Sequence, residues 1–259
     1  MTALPRVPRL AVRDLGVSFG SLEAIRDVSL HVDDGEFVSI LGPSGSGKST
    51  TFSVLTGAVA PSRGEVLVDG APLAGRRDHF AYMPQRDGLL PWRRLIDNVT
   101  LGLETRGVKR AEARARVAPL LKPFGLAGFE RSYPAQLSGG MRQRAALLRT
   151  IAQERSVLLL DEPFGALDAL TRAQMQRFLA EQRDRFGWTV LLVTHDVREA
   201  VGLSDRVYVF SPRPAMILRQ VPIDLPRPRT PGTLAGPAAA AIEADLLETL
   251  LETRMCPKG

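Results

Sequence analysis

The chain has 259 residues, 44% of them hydrophobic and 24% charged, and its formal net charge is +6. This composition excludes a disordered chain and predicts one large globular domain or two small ones. No apolar run reaches the ~20 residues that a membrane-spanning helix needs, and the first ten residues lack the apolar segment of a signal peptide, so we expect a cytoplasmic protein.

Cysteine and histidine usage limits the kinds of metal and redox site. Cys256 is the single cysteine, and the chain has three scattered histidines, which argues against a disulfide, a thiolate cluster or a zinc site. The positive charge is compatible with nucleic acid, an anionic membrane surface or a polyphosphate. The basic residues are interleaved with acids, as in residues 110–116, so no basic block favours nucleic acid.

Two β segments are predicted near the N-terminus. Apolar alternation predicts strands around Leu10–Phe19 and Leu22–Val32, and Asp33-Asp34-Gly35 is a turn signal. Phe19 is the aromatic residue of this stretch, and two roles remain open for it. It could pack in the core or stack on an adenine ring.

Residues 42–50, GPSGSGKST, follow the apolar run 37–41 and match the phosphate-loop pattern G-x-x-x-x-G-K-[ST]. Glycines allow a backbone that wraps phosphates with its N–H groups. Lys48 would then reach the β- and γ-phosphates, and the Ser49 hydroxyl would bind Mg²⁺ at a helix N-terminus. The alternative is a glycine-rich hairpin. The predicted phosphate-binding residues are Gly42, Pro43, Ser44, Gly45, Ser46, Gly47, Lys48, Ser49 and Thr50.

The next segment changes from strands to helices. Glu65–Val68 and His79–Met83 read as strands, and the second ends at Pro84-Gln85. Helical spacing then recurs, both in 110–124 and in an earlier run with Leu95, Val99 and Leu103. We therefore predict a helical subdomain, about 86–155, inserted between strands.

The sequence LSGGMRQR, residues 137–144, precedes a further helical pattern. Ser138 can cap that helix, while Gly139 and Gly140 leave backbone N–H groups uncovered at its positive end. This is a second potential anion site. On the residues alone, a plain helix start with a glycine turn explains it equally well.

Two later strands end in polar residues. Val157–Leu160 is typical of a buried strand and ends at Asp161-Glu162. Asp161 could hold Mg²⁺, and Glu162 could orient or deprotonate an attacking water; the alternative is two surface acids that cap a turn. Trp188–Val193 ends at Thr194-His195-Asp196, where His195 could contact a γ-phosphate or serve a structural role.

The C-terminal region is predicted to lie outside the main domain. Val207–Phe210 is predicted to close the sheet, and the Pro- and Arg-containing stretch 222–236 resembles a linker. Ala238–Glu252 reads as an amphipathic helix, with Ile242, Leu246 and Leu250 on one stripe. Packing on its own domain is the default for this helix, ahead of a regulatory or partner-binding role. We thus predict a domain at 1–221 and a linker plus helix at 222–259.

Taken together, the ordered motifs resemble the ATP-binding-cassette (ABC) transporter ATPases over nearly the whole chain. The motifs are GPSGSGKST at 42–50, Gln85, LSGGMRQR at 137–144, LLLDEPFGALD at 158–168 and Thr194-His195-Asp196. The resemblance implies an α/β fold: a P-loop NTPase core with an N-terminal antiparallel β subdomain and an inserted α-helical signature subdomain.

The resemblance also implies the roles of individual residues. ATP would bind between two cassettes, held by the P-loop of one and by Ser138, Gly139 and Gly140 of the other. Gln85 would contact Mg²⁺ or the attacking water, and Asp161 would support Mg²⁺. The remaining implied roles are Glu162 as general base, Asp168 at the dimer interface, His195 as γ-phosphate sensor and Phe19 at the adenine-stacking position, where the family usually has tyrosine.

A closer similarity is to the nitrate, sulfonate and taurine importer subgroup. It is carried by QRDGLLPW at 85–92, Asp97-Asn98-Val99, DEPFGALDALTR at 161–172, THDVREAV at 194–201 and SPRPAMI at 211–217. Related importers of thiamine pyrimidine precursors remain compatible. The similarity implies a second cassette, identical or different, an integral membrane permease, an indirect solute-binding protein and a peripheral position on the cytoplasmic face of the inner membrane.

Three other classes of ATPase fit the sequence less well. A DNA-repair or chromosome-organising ATPase would need a coiled coil or zinc module between its motifs, and the spacer has neither. A translation-factor ATPase acting on ribosomes would normally carry two cassettes, whereas one P-loop is present. A small-molecule kinase gives no reason for LSGGMRQR.

Overall fold

The chain divides into two compact units in the computed structural model, which describes residues 7–73 and 79–255 apart from the side chains of 253–255. The first unit combines the chain up to His79 with the chain from Gln182 onward, and the second is Phe80–Glu181. Cys256 lies outside the described residues.

The strands are β1 (Leu10–Phe19), β2 (Leu22–Val32), β3 (Phe37–Leu41), β4 (Arg63–Val68), β5 (Ala71–Pro72), β6 (Phe80–Met83), β7 (Val157–Asp161), β8 (Thr189–Thr194), β9 (Arg206–Phe210) and β10 (Ala215–Pro222). The helices are α1 (Lys48–Leu55), α2 (Leu95–Val99), α3 (Leu101–Glu104), α4 (Arg110–Leu121), α5 (Gly139–Ile151), α6 (Ala169–Phe186), α7 (Val197–Leu203), α8 (Pro231–Leu234) and α9 (Pro237–Met255), with a 3-10 turn at Pro134–Gln136. Among the described residues, each helix is too short or too polar to cross a bilayer.

The first unit is built on a mixed sheet. Its strand order, over the described residues, is β5-β4-β1-β2-β10-β9-β3-β8. β1 pairs antiparallel with β2 and β4, which confirms the antiparallel β region expected at the N-terminus. β3 instead lies between β8 and β9, parallel to both. The unit therefore joins an antiparallel region to a parallel one.

The parallel region explains the position of the glycine-rich loop. β3 reads FVSIL without a polar alternation, and all of its residues are buried. A central parallel strand is covered on both faces, which explains the nearly continuous apolar run, and the buried Ser39 hydroxyl pairs with that of Ser204. The carboxyl ends of β3 and β8 lie in register, with Leu41 beside Thr194. Residues that follow these strands therefore emerge at the same edge of the sheet.

The second unit is mainly helical. Its strands β6 and β7 pair in parallel, from Phe80 beside Val157 to Met83 beside Leu160. The helical spacing seen in the sequence is confirmed by α2, α3 and α4, because the apolar side chains on one side of each helix are buried. These buried side chains are Leu95, Val99, Leu103, Ala113, Val117 and Leu121. Phe124 adds an edge-to-face contact with Phe178, with ring centroids 4.9 Å apart.

The prediction that Val207–Phe210 closes the sheet is wrong. β9 has neighbours on both sides, because β10 pairs antiparallel with it and parallel with β2. β10 lacks a clear period-2 pattern: Ala215 and Val221 are buried, whereas the middle of the strand is partly or fully exposed. Its position is fixed by pairing with β9 and β2 rather than by its own composition.

The stretch after β10 is held against the first unit rather than extended as a free linker. Ile223 and Leu225 are buried in an apolar cluster with α7 and α9 residues. Arg227 donates to the carbonyl oxygen of Leu203 at 2.9 Å, and Arg229 donates to that of Val201 at 2.8 Å. Both carbonyls belong to α7, so the arginines satisfy backbone acceptors near its C-terminus.

Helix α9 packs on the same unit. Leu246 is fully buried, and Ile242 and Leu250 pack against the same cluster, which includes Val197 and Val201 of α7. The predicted apolar stripe is therefore confirmed as a packing surface. Because α7 begins two residues after His195, the C-terminal helix packs on the element that follows this histidine.

Candidate functional site

The glycine-rich loop connects β3 to α1. Gly45 and Gly47 have φ angles of 77° and 90°, in the left-handed region that favours glycine. A Cβ at Gly47 would lie 3.0 Å from the Cβ of Ala215 and 3.1 Å from the carbonyl oxygen of Ala24. Glycine is therefore required at position 47 both by the backbone angle and by close packing.

The loop leaves a group of backbone donors uncovered. Within residues 7–73 and 79–255, the N–H groups of Gly45, Gly47, Ser49 and Thr50 donate to no protein acceptor. The last two belong to the first turn of α1, where intrahelical partners are lacking. Such N–H groups at a helix N-terminus form a favourable environment for phosphate oxygens.

Lys48 brings a positive charge to the same loop. Its Nζ donates to the carbonyl oxygens of Gly42 at 2.8 Å and Pro43 at 2.7 Å, and the side chain is buried. Ser46 Oγ lies 3.4 Å from the same nitrogen. The ammonium group is thus folded along the loop beside the uncovered N–H groups. This donor set fits a polyphosphate and offers no negative charge that would repel one.

Phe19 lies at the end of β1 and is 50% exposed. This exposure excludes the core-packing alternative. It leaves the ring face accessible, as stacking on a base would require.

His195 lies in the short connection between β8 and α7, and its side chain is exposed. The residues on either side of it are connected by hydrogen bonds. Thr194 Oγ1 donates to Glu199 Oε2 at 2.7 Å and accepts from the Asp196 N–H at 3.0 Å. Asp196 Oδ1 in turn accepts from the N–H groups of Arg198 and Glu199, at 2.8 and 3.2 Å.

This arrangement is a capping box relayed through a hydroxyl group. In a capping box, the third helical residue reaches back to the N-cap N–H. Here Glu199 reaches the Asp196 N–H through Thr194, and the ring of hydrogen bonds closes around His195. Sequence reasoning placed His195 but assigned no role to Thr194 or Glu199. The spacing of Asp196 and Glu199 was the available signal.

In the second unit, two carboxylates follow β7 at its carboxyl end. Asp161 is 2% exposed. Burial, together with the negative charge of Asp161, raises the pKa of Tyr82 to about 12. Tyr82 therefore stays protonated and neutral at physiological pH, so it adds no second negative charge beside Asp161.

Glu162 is held in an unusual backbone conformation. Its φ is 48°, in the left-handed region, which costs a non-glycine residue of order 1–3 kcal/mol. The amide nitrogen Nε2 of Gln85 donates to Glu162 Oε2 at 3.2 Å. The structure therefore brings together two of the predicted site residues, even though they are far apart in the sequence.

Gln143 is a site residue that sequence reasoning missed. It lies within LSGGMRQR and is 5% exposed, and its Nε2 donates to the carbonyl oxygens of Glu162 at 3.3 Å and Pro163 at 3.1 Å. A buried glutamine on an otherwise amphipathic helix was the available signal.

The predicted helix cap at Ser138 is confirmed. Ser138 Oγ accepts from the Met141 N–H at 3.2 Å, and Ser138 and Gly139 are exposed. Further along, Asp168 caps α6 by accepting from the Thr171 N–H at 3.0 Å, which lowers the pKa of its carboxyl group. The Asp161-Glu162 pair, in contrast, does not supply the cap of α6.

The predicted residues thus fall into two groups, one in each unit. The first unit carries the phosphate loop at 42–50, Phe19 and His195, and the second carries Gln85, Ser138–Gly140, Asp161, Glu162 and Asp168. Among the described residues, His, Cys, Asp and Glu side chains form no cluster of three or more that could hold a metal by themselves. Mg²⁺ usually takes one or two protein ligands together with phosphate and water; Ser49 in the first unit, and Gln85 and Asp161 in the second, each carry an oxygen of the kind that it binds.

Comparisons with known proteins identify the family. The family model for ABC transporters matches residues 25–165, more than half of the chain. The chain is 44% identical over 242 residues to aliphatic sulfonates import ATP-binding protein SsuB 3 of Pseudomonas savastanoi pv. phaseolicola, covering 93% of this chain and 86% of that protein. It is 46% identical to SsuB 2 of Pseudomonas aeruginosa over 242 residues, covering 93% and 84%.

Solved structures give the same result for the fold. The dimeric structure of MJ0796, a bacterial ABC transporter cassette, is similar with a TM-score of 0.75 at 30% identity, covering 83% of this chain and 98% of that one. A post-hydrolysis dimer of the same cassette bound to ADP and phosphate has the same TM-score, identity and coverage. The fold is that of the P-loop NTPases, and the chain belongs to the ABC transporter family as an ATPase cassette.

Proposed function

We propose that this cassette hydrolyses ATP with Glu162 as the general base. The observation that carries the proposal is the pairing of Glu162 with Gln85 at the end of β7. The hydrogen bond from Gln85 would orient the carboxylate of Glu162, which would accept a proton from a water molecule. Proton removal from that water would make it a nucleophile toward the γ-phosphate.

The phosphate loop would supply binding and charge neutralisation. The uncovered N–H groups of Gly45, Gly47, Ser49 and Thr50 would bind the phosphates, and Lys48 would turn from its loop carbonyls to the β- and γ-oxygens. Positioning and electrostatics account for most of the catalysis in phosphoryl transfer. Gly42, Pro43, Ser44 and Ser46 shape the same loop.

Mg²⁺ would be held by Ser49, with Asp161 and Gln85 contributing directly or through water. When bound, the ion neutralises charge that develops on the phosphates during transfer. The position of Asp161 at the carboxyl end of β7 supports this role, because carboxylate oxygens are ligands that Mg²⁺ takes in proteins. His195 would contact the γ-phosphate, and Phe19 would stack on the adenine ring.

The active unit would be a dimer of cassettes, with each ATP bound by one P-loop and by Ser138, Gly139 and Gly140 of the partner cassette. The exposed N-terminus of α5 supports this arrangement, because it is an anion-binding end with no acid in its first turn. The dimeric structures of the similar cassette MJ0796 support it too. Asp168 would lie at the interface between the two copies.

The transported solute would be an aliphatic sulfonate. Several relatives at 43–46% identity are named aliphatic sulfonates import ATP-binding proteins. The cassette would bind an integral membrane permease near Gln85, peripherally on the cytoplasmic face of the inner membrane, and a solute-binding protein would act indirectly. The names of these relatives do not favour an ATPase that acts on nucleic acid or ribosomes.

The test is uptake of a radiolabelled aliphatic sulfonate by cells in which the native gene is replaced by the wild type or by Glu162→Gln. We expect the wild type to support uptake and the variant to abolish it. Glu181→Gln is a matched control, because Glu181 is an exposed helical glutamate, and it should transport normally. Sulfonate uptake that survives gene deletion would contradict the solute assignment, and parallel assays with nitrate, taurine and thiamine pyrimidine precursors would identify another.

A further inference from the structure

We propose that helix α5 couples the two ATP sites of the dimer through Gln143. The proposal rests on the dimer described above. The N-terminus of α5 would contact the nucleotide held by the partner cassette, whereas the middle of α5 supports Glu162 and Gln85 of its own cassette. Nucleotide contact at one site would therefore position Glu162 and Gln85 at the other site.

The first link joins α5 to the turn that carries Glu162. Gln143 Nε2 donates both of its hydrogens, to the carbonyl oxygens of Glu162 at 3.3 Å and Pro163 at 3.1 Å. The side chain is buried, so water does not compete for these acceptors. Since Glu162 has a φ of 48°, its conformation persists only if the surroundings hold it. Gln143 is one of the groups that do so.

The second link joins α5 to the loop that follows Gln85. Arg142 Nε donates to Asp87 Oδ2 at 3.1 Å. Arg149 donates to the carbonyl oxygens of Asp87 and Gly88, both at 2.7 Å. One helix therefore holds the backbone of Glu162 and the loop two residues after Gln85, by side chains distinct from those that would contact nucleotide.

The helix makes this connection short and stiff. Ser138 caps α5, and Gln143 lies five residues further along, which corresponds to roughly 7.5 Å of helix rise. A rigid element moves as a body, so a shift that nucleotide contact causes at Ser138 reaches Gln143 with little loss. The resulting coupling is expected to be reciprocal in ATP binding between the two sites.

The experiment measures ATP hydrolysis by the full chain as a function of ATP concentration. The test variant is Gln143→Met, which keeps an unbranched side chain but removes both donors. We expect its kcat to fall at least about tenfold through misplacement of Glu162. We also expect the Hill coefficient, above 1 in the wild type, to fall to about 1. The dissociation constant for ATP should change less than about twofold, because the phosphate loop is untouched.

Two further variants keep the test decisive. Gln143→Leu is also unable to donate to the two carbonyls and buries no charge, and it should give the same two losses if Gln143→Met does not fold. Gln174→Met is the matched control, because Gln174 is an exposed glutamine on α6, and it should retain the kcat and the Hill coefficient of the wild type. Melting midpoints identify any variant that is merely unstable.

A double-mutant cycle separates coupling from a structural role. If Ser138 acts through Gln143, adding Gln143→Met to Ser138→Ala should lower kcat little further. Independent effects on kcat would instead add as free energies. A non-cooperative wild type, a Gln143→Met enzyme with normal kcat and Hill coefficient, or strictly additive losses would each overturn the proposal. If Ser138→Ala alone leaves hydrolysis unchanged, the proposed signature contact fails, and the coupling fails with it.

Discussion

Replacing Thr194 by valine is expected to loosen the loop that carries His195. Valine has nearly the shape of threonine, so the change removes the hydroxyl and little else. The hydroxyl donates to the buried carboxylate of Glu199 at 2.7 Å and accepts from the Asp196 N–H at 3.0 Å. A hydrogen bond to a charged group contributes about 1.5–3 kcal/mol and a neutral one about 1 kcal/mol. We therefore expect Thr194→Val to lower the free energy of unfolding by about 3 kcal/mol.

The assay combines urea unfolding with ATP hydrolysis. The urea midpoint should fall while the slope stays constant, since the surface exposed on unfolding is the same. The kcat should also fall, because His195 loses the support on both of its sides, whereas ATP affinity should be largely retained. Thr194→Ser, which keeps the hydroxyl, is the matched control and should preserve most of the kcat. A Thr194→Val enzyme with wild-type kcat and stability would refute the relayed capping box.

Three further predictions concern binding and pH. Lys48→Ala should weaken ATP binding by roughly 10–100-fold in calorimetry, since one charged hydrogen-bond partner is lost; unchanged affinity would refute the phosphate-loop assignment. Phe19→Ala should weaken ATP binding by about 3–10-fold and Phe19→Tyr should not, as an aromatic contact contributes about 0.5–1.5 kcal/mol; equal affinity in both variants would remove Phe19 from the adenine site. Burial raises the pKa of Asp97, but hydrogen bonds from Arg110 and Arg114 outweigh it, so the pKa is lowered overall. The ionised carboxylate of Asp97 should therefore stabilise the fold above pH ~4, and this contribution should be lost below that pH. Asp97→Asn should lower the free energy of unfolding by about 1 kcal/mol at pH 7, since solvent screens the exposed arginines. An equal loss at pH 2 would contradict the lowered pKa.

Local requirements made much of the site predictable from sequence. The loop at 42–47 needs glycines at positive φ, and Gly45 and Gly47 have these angles in the structure. The cap at Ser138 likewise depends on a neighbouring N–H group, that of Met141. Such features are encoded within a few residues, so the residue types alone indicate them.

Long-range contacts were not predictable in this way. β10 is defined by pairing with β2 and β9 rather than by alternation, and the sequence analysis predicts no strand there. The partly buried contacts of Arg227 and Arg229 with carbonyls of α7 have no signature in the sequence. The same holds for Gln143, whose acceptors lie about twenty residues away along the chain.

The central claim is that ATP binds between two cassettes and is hydrolysed with Glu162. The most direct test measures the mass of Glu162→Gln in solution with ATP and Mg²⁺, by light scattering during size-exclusion chromatography. The account predicts twice the protomer mass with ATP, a monomer without it, and loss of the dimer when Ser138→Arg is added. A Glu162→Gln protein that stays monomeric with saturating ATP, or that hydrolyses ATP at the wild-type rate, would contradict it.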